Sequence, residues 1–392
     1  MSDPVPPPRG FRFAGVPAGI KRQAGALDLG LVVADAPAVV AGAFTRNLVR
    51  AAPVTVAERR VARGRARAIL VNSGNANACT GEPGLAAALE TTAAVASALG
   101  VEAEEVLPAS TGVIGAPLPT AKIVGAVPAL VAALGASVEP FSRAIMTTDR
   151  WPKVAAARAG SAAVLGVAKG AGMIHPDVGP PQATMLVFLL TDAVVERAPL
   201  ADALLAACDV TFNAATVDGD TSTNDTVLAL ASGASGDAPP AAALEAALTE
   251  VCAVLARSMV RDGEGAGHVA ELTVRGLRTD AEARVVARTV ATSLLVKTAL
   301  FGQDSNWGRI LAAAGRAGVR FDPGRAALAI GGVTILERGL PLGPEPEARA
   351  SAAMRAETYA IELVLGDGPG QARYLTSDLG HGYVDVNAGY RS

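Results

Sequence analysis

At 392 residues the chain is long enough for a substantial core and for two domains. Apolar residues make up 51% and charged residues 18%, which excludes disorder driven by charge, and no uncharged apolar run is long enough for a membrane-spanning helix. The 34 basic residues nearly balance the 37 acidic ones for a formal charge of −3, and no basic tract interleaved with aromatics marks a nucleic-acid surface.

Ala and Gly supply much of the apolar fraction while aromatics are only 4%, so small side chains should let helices and strands approach closely. Cys79, Cys208 and Cys252 are odd in number and show no Cys-x-x-Cys spacing, which reads as buried, reduced thiols. Residues 1–9 are Pro-rich and contain no apolar signal core, so the expectation is a cytoplasmic protein whose first ten residues form a flexible arm.

Beyond the arm, short apolar runs alternate with Ala-rich helical patterns, the signature of an α/β fold. The longest basic stretch, residues 58–67, alternates with Ala and Val and reads as a solvated helix face. Residues 66–72 (ARAILVN) read as a buried strand running into the loop SGNANACTG, and residues 85–99 as a helix closed by Gly100. Residues 119–134 form a second Ala/Val-rich helix. The strand-like AAVLGVAKG is followed by a Gly/Pro loop, GAGMIHPDVGPPQA, and then by TMLVFLLTDA, a nearly continuous apolar run that predicts a strand buried on both faces. Thr184 is its first residue. A helix over 199–213, the polar loop VDGDTSTNDT, a surface linker over 232–242 and a helix over 243–259 follow. HVAELTVRG predicts a strand, residues 281–300 one long helix, and RAALAIGGVTIL a final strand before a mixed C-terminal region.

Several catalytic chemistries are poorly served. His175, His268 and His381 are isolated from one another, with no HExxH-type pair. The loop DGDTSTND imitates the start of a calcium loop but carries Thr223 where Gly is required and Ala229 where the bidentate Glu belongs. There is neither a GxxxxGK[ST] phosphate loop nor a Gly-x-Ser-x-Gly elbow. One nucleophile arrangement needs no histidine. A Thr at a chain terminus uses its own α-amine as general base, since that amine titrates at roughly 7.7–8.0. Making that terminus requires the Thr hydroxyl to attack the preceding carbonyl, which favours a small preceding residue and a constrained loop. Ala183-Thr184, after a Pro/Gly loop and opening a buried strand, meets those conditions, although most strand-opening Thr residues do no chemistry. Three other features carry a functional and a bland reading side by side. Ser110-Thr111-Gly112 after a Pro offers amides and a hydroxyl to an oxyanion or is a plain turn. Lys169 meets an anion or snorkels out of its apolar stretch. Glu264 lies in the glycine loop DGEGAG, a ligand loop or a solvated turn.

Taken together these segments resemble the ornithine acetyltransferase family, also called glutamate N-acetyltransferase. Nine stretches carry the resemblance in one order: VNSGNANACTG, PASTGVIG, IMTTD, KGAGMIHP, ATMLVFLLTDA, VDGDTSTNDT, VRDGEGAGH, SLLVKTALFGQDSNWGRI and VDVNAGYRS. The resemblance implies a two-lobed, layered α/β sandwich of the self-processing, N-terminal-nucleophile-like kind. It implies cleavage between Ala183 and Thr184 into an α-chain (1–183) and a β-chain (184–392) that stay associated, commonly as a heterotetramer. By the same resemblance Thr184 is the acetyl-carrying nucleophile, and Thr111 and Gly112 are the oxyanion pair. Thr148, Lys169, Thr184, Glu264, Asn387 and Ser392 hold the amino-acid substrate. The implied reaction moves acetyl from N-acetylornithine to glutamate through an acetyl-threonine ester. No cofactor, metal, nucleic acid or membrane enters, and acetyl-CoA is a conceivable second donor. A related self-processed, aminopeptidase-like hydrolase is the alternative. Two departures stand out: the segment before the scissile bond reads HPDVGPPQATM where the family has a compact APNMATM, and the last residue is Ser392 where Thr is usual.

Overall fold

The computed structural model describes residues 5–176, 178–179 and 185–389. Ala183, Thr184 and Ser392 lie outside the described residues. The chain divides into two compact units, one built from Met1–Asn213 and Asp220–Met259 and the other from Ala214–Gly219 and Val260–Arg391.

In chain order the strands are β1 (Phe11–Val16), β2 (Leu29–Thr45), β3 (Arg65–Asn75), β4 (Val106–Val113), β5 (Lys153–Ala159), β6 (Ala162–Lys169), β7 (Val178–Gly179), β8 (Leu186–Thr191), β9 (Ala215–Thr216), β10 (Thr226–Ala231) and β11 (Val269–Gly276). They continue with β12 (Ala327–Ile330), β13 (Val333–Glu337), β14 (Leu340–Pro341), β15 (Thr358–Val364) and β16 (Gly368–Ser377). The helices are α1 (Ala52–Val61), α2 (Gly81–Leu99), α3 (Thr120–Ala132), α4 (Glu139–Ala144), α5 (Arg197–Val210), α6 (Ala241–Arg261), α7 (Asp280–Ala291), α8 (Leu294–Phe301), α9 (Trp307–Gly315), α10 (Pro344–Ala353) and α11 (His381–Gly389). The α/β class read from the sequence is therefore what the chain adopts.

The first unit is organised by a mixed sheet in the order β4-β3-β2-β10-β8-β6-β5, with β1 and β7 also pairing with β2. Within it β8 runs parallel to β10 and antiparallel to β6. Every residue of β8 is buried, as its unbroken apolar run predicts for a strand covered on both faces. One core layer gathers Val32, Ile69, Phe141, Phe188 and Leu228, and Phe141 meets Phe188 edge-on at 5.4 Å. A second layer joins Leu29, Leu31 and Leu70 to Ile123, Val127 and Leu130 of α3. Small residues set the spacing. A Cβ on Gly166 of β6 would come within 2.4 Å of Val251 on α6, so the helix lies on the strand at a distance only glycine permits.

The second unit has its own sheet, in the order β14-β13-β12-β15-β11-β16-β9. Its core packs Val286, Val290 and Ala287 of α7 with Leu272, Val274, Ile361 and Tyr374.

Four local expectations are corrected. The helix expected over 281–300 is two helices, because the Thr292 hydroxyl bonds back to Arg288 O at 2.8 Å and α7 stops there, while Ser293 takes an extended conformation and opens α8. The single strand RAALAIGGVTIL is a hairpin, since Gly331 and Gly332 both take positive φ and form its two-residue turn. Arg60 is not on a solvated face: it is 4% exposed, and its guanidinium donates to Thr92 Oγ1 and to the carbonyl of Val106. Cys208 and Cys252 are buried, but Cys79 is exposed. The expected arm is also anchored at its end, where the Arg9 amide donates to Asp192 and its carbonyl accepts from Ser232.

Phe141→Ala should cost about 3–5 kcal/mol, because it empties a ring-sized volume on the Phe188 side of the first unit's core. Denaturant unfolding checks this, and a loss below about 1 kcal/mol would contradict the packing described.

Candidate active site

Thr111 and Gly112 close β4, where it runs parallel to β3. The register breaks there: Asn75 opposes both Thr111 and Val113, a bulge that turns the strand end out of the regular ladder. Gly112 has φ +131°, and a Cβ on it would meet the backbone of Gly74 at 2.4 Å and of Asn75 at 2.6 Å. Only glycine fits, so the sequence Ser-Thr-Gly is fixed by backbone crowding as well as by any chemistry. The Ser110 hydroxyl is taken by Asn72 Oδ1 at 2.6 Å, and the Ser110 carbonyl accepts from Asn224 at 2.8 Å. Thr111 is half-buried, and its hydroxyl accepts a hydrogen bond from Lys169 Nζ at 3.2 Å.

Lys169 is the last residue of β6 and lies opposite Leu186 in the register with β8. It is 8% exposed, so its ammonium is drawn inside rather than snorkelling to water. The Asp149 carboxylate shares the field of that ammonium. Its Oδ2 accepts from Thr147 N at 2.9 Å, and its Oδ1 accepts from Gly170 N at 2.7 Å and from Lys153 Nζ at 2.6 Å. Burial would raise the Asp149 carboxyl, but Lys169 and Lys153 outweigh it and hold the group down at about 2. Thr148, half-buried, lies between Thr147 and Asp149 on this clamped turn. Lys21 shares the field: burial lowers its ammonium, Asp28 and Asp149 raise it, and Lys169 lowers it further.

Asp225 precedes β10 and is fully buried, with Oδ2 lacking a hydrogen-bond partner among the described residues. Burial pushes its carboxyl well above the usual range, partly opposed by Lys169 and by a backbone hydrogen bond. The next residue, Thr226, donates its amide to Met185 O at 2.7 Å. The VDGDTSTNDT segment is thus no exposed polar loop at this end, since Thr223, Asn224 and Asp225 are all buried.

In the second unit, Glu264 and Asn387 are brought together, with Asn387 Nδ2 donating to Glu264 Oε2 at 2.8 Å. Gly265, at φ +70°, makes this possible, because a Cβ there would lie 2.2 Å from Tyr383 N at the start of α11. Asp378 fixes the same loop from beneath: its Oδ1 accepts from the amides of Gly267 and His268 at 2.9 and 3.1 Å. Lys297 is 1% exposed and donates to Thr376 Oγ1 at 3.0 Å and to the carbonyl of Ser377. Burial lowers its ammonium to about 8, against the pull of Asp378 and Asp218. Asp149, Lys153, Asp225, Lys297 and Asp378 were not singled out in the sequence. Their one signal there is charge inside otherwise apolar or glycine-rich motifs.

Two substitutions test this geometry. Gly112→Ala must open the β3–β4 bulge and should cost about 1–3 kcal/mol in unfolding free energy. Gly125→Ala is the control, since it meets nothing within 4 Å on α3 and should be neutral or stabilising. Equal effects at the two sites would refute the close approach. For Lys297 the folded state holds its proton less tightly than the unfolded chain. The unfolded state therefore binds more protons between about pH 8 and 10.5, and this group's contribution to stability rises with pH across that window. The unfolding free energy of the parent protein relative to Lys297→Met should grow between pH 7.5 and 9.5, and a constant or shrinking difference would contradict the burial of that charge.

The ArgJ family profile matches residues 12–392. An arginine biosynthesis bifunctional protein ArgJ from Geobacter sulfurreducens is 48% identical over 396 residues, covering 98% of this chain and 99% of that protein. A protein of the same name from Nitratidesulfovibrio vulgaris is also 48% identical, again over 98% and 99% of the two chains. Among solved structures, an arginine biosynthesis bifunctional protein argJ from Bacillus halodurans aligns with TM-score 0.51 at 41% identity, over 53% of this chain and 100% of that one. Identity of this order along both full lengths, with one family spanning nearly the whole chain, establishes that the chain belongs to the ArgJ family, acetyltransferases of arginine biosynthesis.

Proposed function

We propose that the chain is a glutamate N-acetyltransferase that carries the acetyl group on Thr184, after cutting itself between Ala183 and Thr184. The observation that carries the reading is the register at β8. Lys169 stands opposite Leu186, two residues beyond Thr184 in sequence, and its ammonium is bonded to the Thr111 hydroxyl beside the Gly112 bulge. A cation, a hydroxyl and a backbone amide thus cluster in the first unit at the strand end that Thr184 leads into.

The chemistry follows from those groups. In the precursor, Thr184 Oγ adds to the Ala183 carbonyl, and the tetrahedral adduct collapses with loss of the Thr184 amide nitrogen to an ester. Water cleaves that ester, leaving an Ala183 carboxylate and a free Thr184 α-amine. In turnover the amine takes the hydroxyl proton as Oγ attacks the acetyl carbonyl of N-acetylornithine, and the same proton leaves on the amine of ornithine. The α-amine of glutamate then attacks the acetyl ester, releasing N-acetylglutamate and restoring the hydroxyl. Thr111 and the Gly112 amide stabilise the oxyanion at each addition. Lys169 with Thr148 receives the substrate carboxylate. Glu264 with Asn387 takes the side-chain ammonium, and Ser392 contributes its hydroxyl. Acetyl-CoA is a second donor on this reading, because the same ester forms from any activated acetyl group that reaches Thr184. The two fragments remain together, as pairs assembled into a heterotetramer in the cytoplasm.

Purified protein should give fragment masses for 1–183 and 184–392, and Thr184→Ala should give one folded, full-length, inactive species. Turnover by that variant would contradict the assignment. With N-acetylornithine and glutamate the processed protein should form N-acetylglutamate, whereas acetate alone would mean a hydrolase.

A further inference from the structure

Among the buried charged groups without a part in the proposed reaction, Asp149 is one bonded to elements of the amino-acid site. Among the described residues the Asp149 carboxylate makes no hydrogen bond to a side chain assigned to the substrate, yet it bonds to the elements that carry two of them. Three donors converge on its carboxylate: Thr147 N on the turn that carries Thr148, Gly170 N immediately after Lys169, and Lys153 Nζ. Lys153 and Asp149 are both essentially inaccessible, with side-chain exposures of 0% and 1%. Gly170 takes φ +154°, and a Cβ there would lie 2.9 Å from Ile174, so the amide is presented to Asp149 by a conformation that favours glycine.

We propose that Asp149 is the positioning residue of the amino-acid site: it fastens the Thr148 turn to the end of β6 and keeps the Lys169 ammonium charged beside Thr111. This rests on the reading of Thr148 and Lys169 as substrate groups. Asp149, Asp225 and Lys21 are among the charged groups that share the field of Lys169. Asp149 is anionic and Asp225 is held toward its neutral form by burial, while Lys21 is a like charge. Asp149 is the carboxyl that its surroundings favour as an anion, and Lys169 is the first of the charges that do so. Without Asp149, Lys169 keeps its burial and its cationic neighbours and loses a counter-charge, so it gives up its proton more readily. A neutral amine no longer pairs with a substrate carboxylate. The cost therefore falls on substrate binding and grows as the solution becomes more alkaline.

The test compares processed parent protein with Asp149→Asn, Lys153→Met and Lys169→Met, measuring KM for N-acetylornithine and kcat from about pH 6.5 to 9.5. Asp149→Asn should raise KM by up to about tenfold at pH values above the parent's alkaline rise, the limit set by roughly one pKa unit of lost counter-charge, and that rise should begin at lower pH than in the parent. Lys153→Met removes a like charge and a competitor for Asp149 while leaving the carboxylate. It should lower Tm and leave that alkaline rise at the parent pH or move it upward. A purely structural Asp149 would lower Tm in both variants and move neither KM profile, which overturns the proposal. If Asp149→Asn does not fold, a downward shift in Lys153→Met overturns it instead. Lys169→Met separates the two layers of argument. Unchanged KM in that variant removes the site reading itself, whereas raised KM there with a parent-like Asp149→Asn removes only the role of Asp149.

Discussion

Asp149 sits inside the protein with the Lys153 ammonium 2.6 Å from one oxygen and two backbone amides completing its shell. A carboxylate in such a place survives as an anion only when every lone pair is answered, because an uncompensated buried charge costs several kcal/mol. That requirement ties together pieces of chain that are otherwise separate: the turn after α4, the start of β5 and the loop leaving β6. Removing one partner of such a pair typically costs about 3–5 kcal/mol, so the arrangement is held rigidly even though the pair adds little to net stability. Rigidity at this point matters because Lys169 and Thr148 flank it.

Glycine provides the complementary constraint. At Gly112, itself a proposed oxyanion donor, and at Gly265, the residue after Glu264, two backbones approach more closely than any side chain allows. The family motifs rich in Gly are thus explained by contact distance. Where the glycine is helical and open, as at Gly125, no such demand exists.

Much of this was legible beforehand. The continuous apolar run of β8 predicted burial on both faces, and the alternation of apolar runs with Ala-rich helices predicted the α/β class. Ser110-Thr111-Gly112 and Lys169 stood out as local signals with two readings each, and the structure brings the Lys169 ammonium to the Thr111 hydroxyl. The buried ion pairs were not. Asp149 and Lys153 are four residues apart but lie across a Trp-Pro turn rather than on a helix, so no periodicity marks them. Asp378 meets a loop more than 100 residues earlier in the chain, and such a contact has no local signature. Arg60 was misread for a related reason. Its neighbours Arg59 and Arg63 make the stretch look solvated, while the Val106 carbonyl and Thr92 hydroxyl that receive it come from distant segments. The helix break at Thr292-Ser293 and the Gly331-Gly332 hairpin turned on single-residue backbone choices within otherwise regular patterns.

The order of strands in the first sheet bears on how such a protein can be made. Reading across it, β4, β3 and β2 come from before residue 184, then β10 and β8 from after it, then β6 and β5 from before it again. A scission ahead of β8 would leave its product wedged between neighbours of the other product, along β2 on one side and β6 on the other. Two genes encoding the halves separately would deliver chains whose central strands begin life with unsatisfied amides and carbonyls, prone to pair with the wrong partner. A continuous polypeptide gives those strands their neighbours during folding, and a cut made after the sheet has closed would leave the pairing in place. Proteolytic maturation in such an architecture works as a finishing step on an assembled body, with no need for a disulfide or linker to keep the pieces in register.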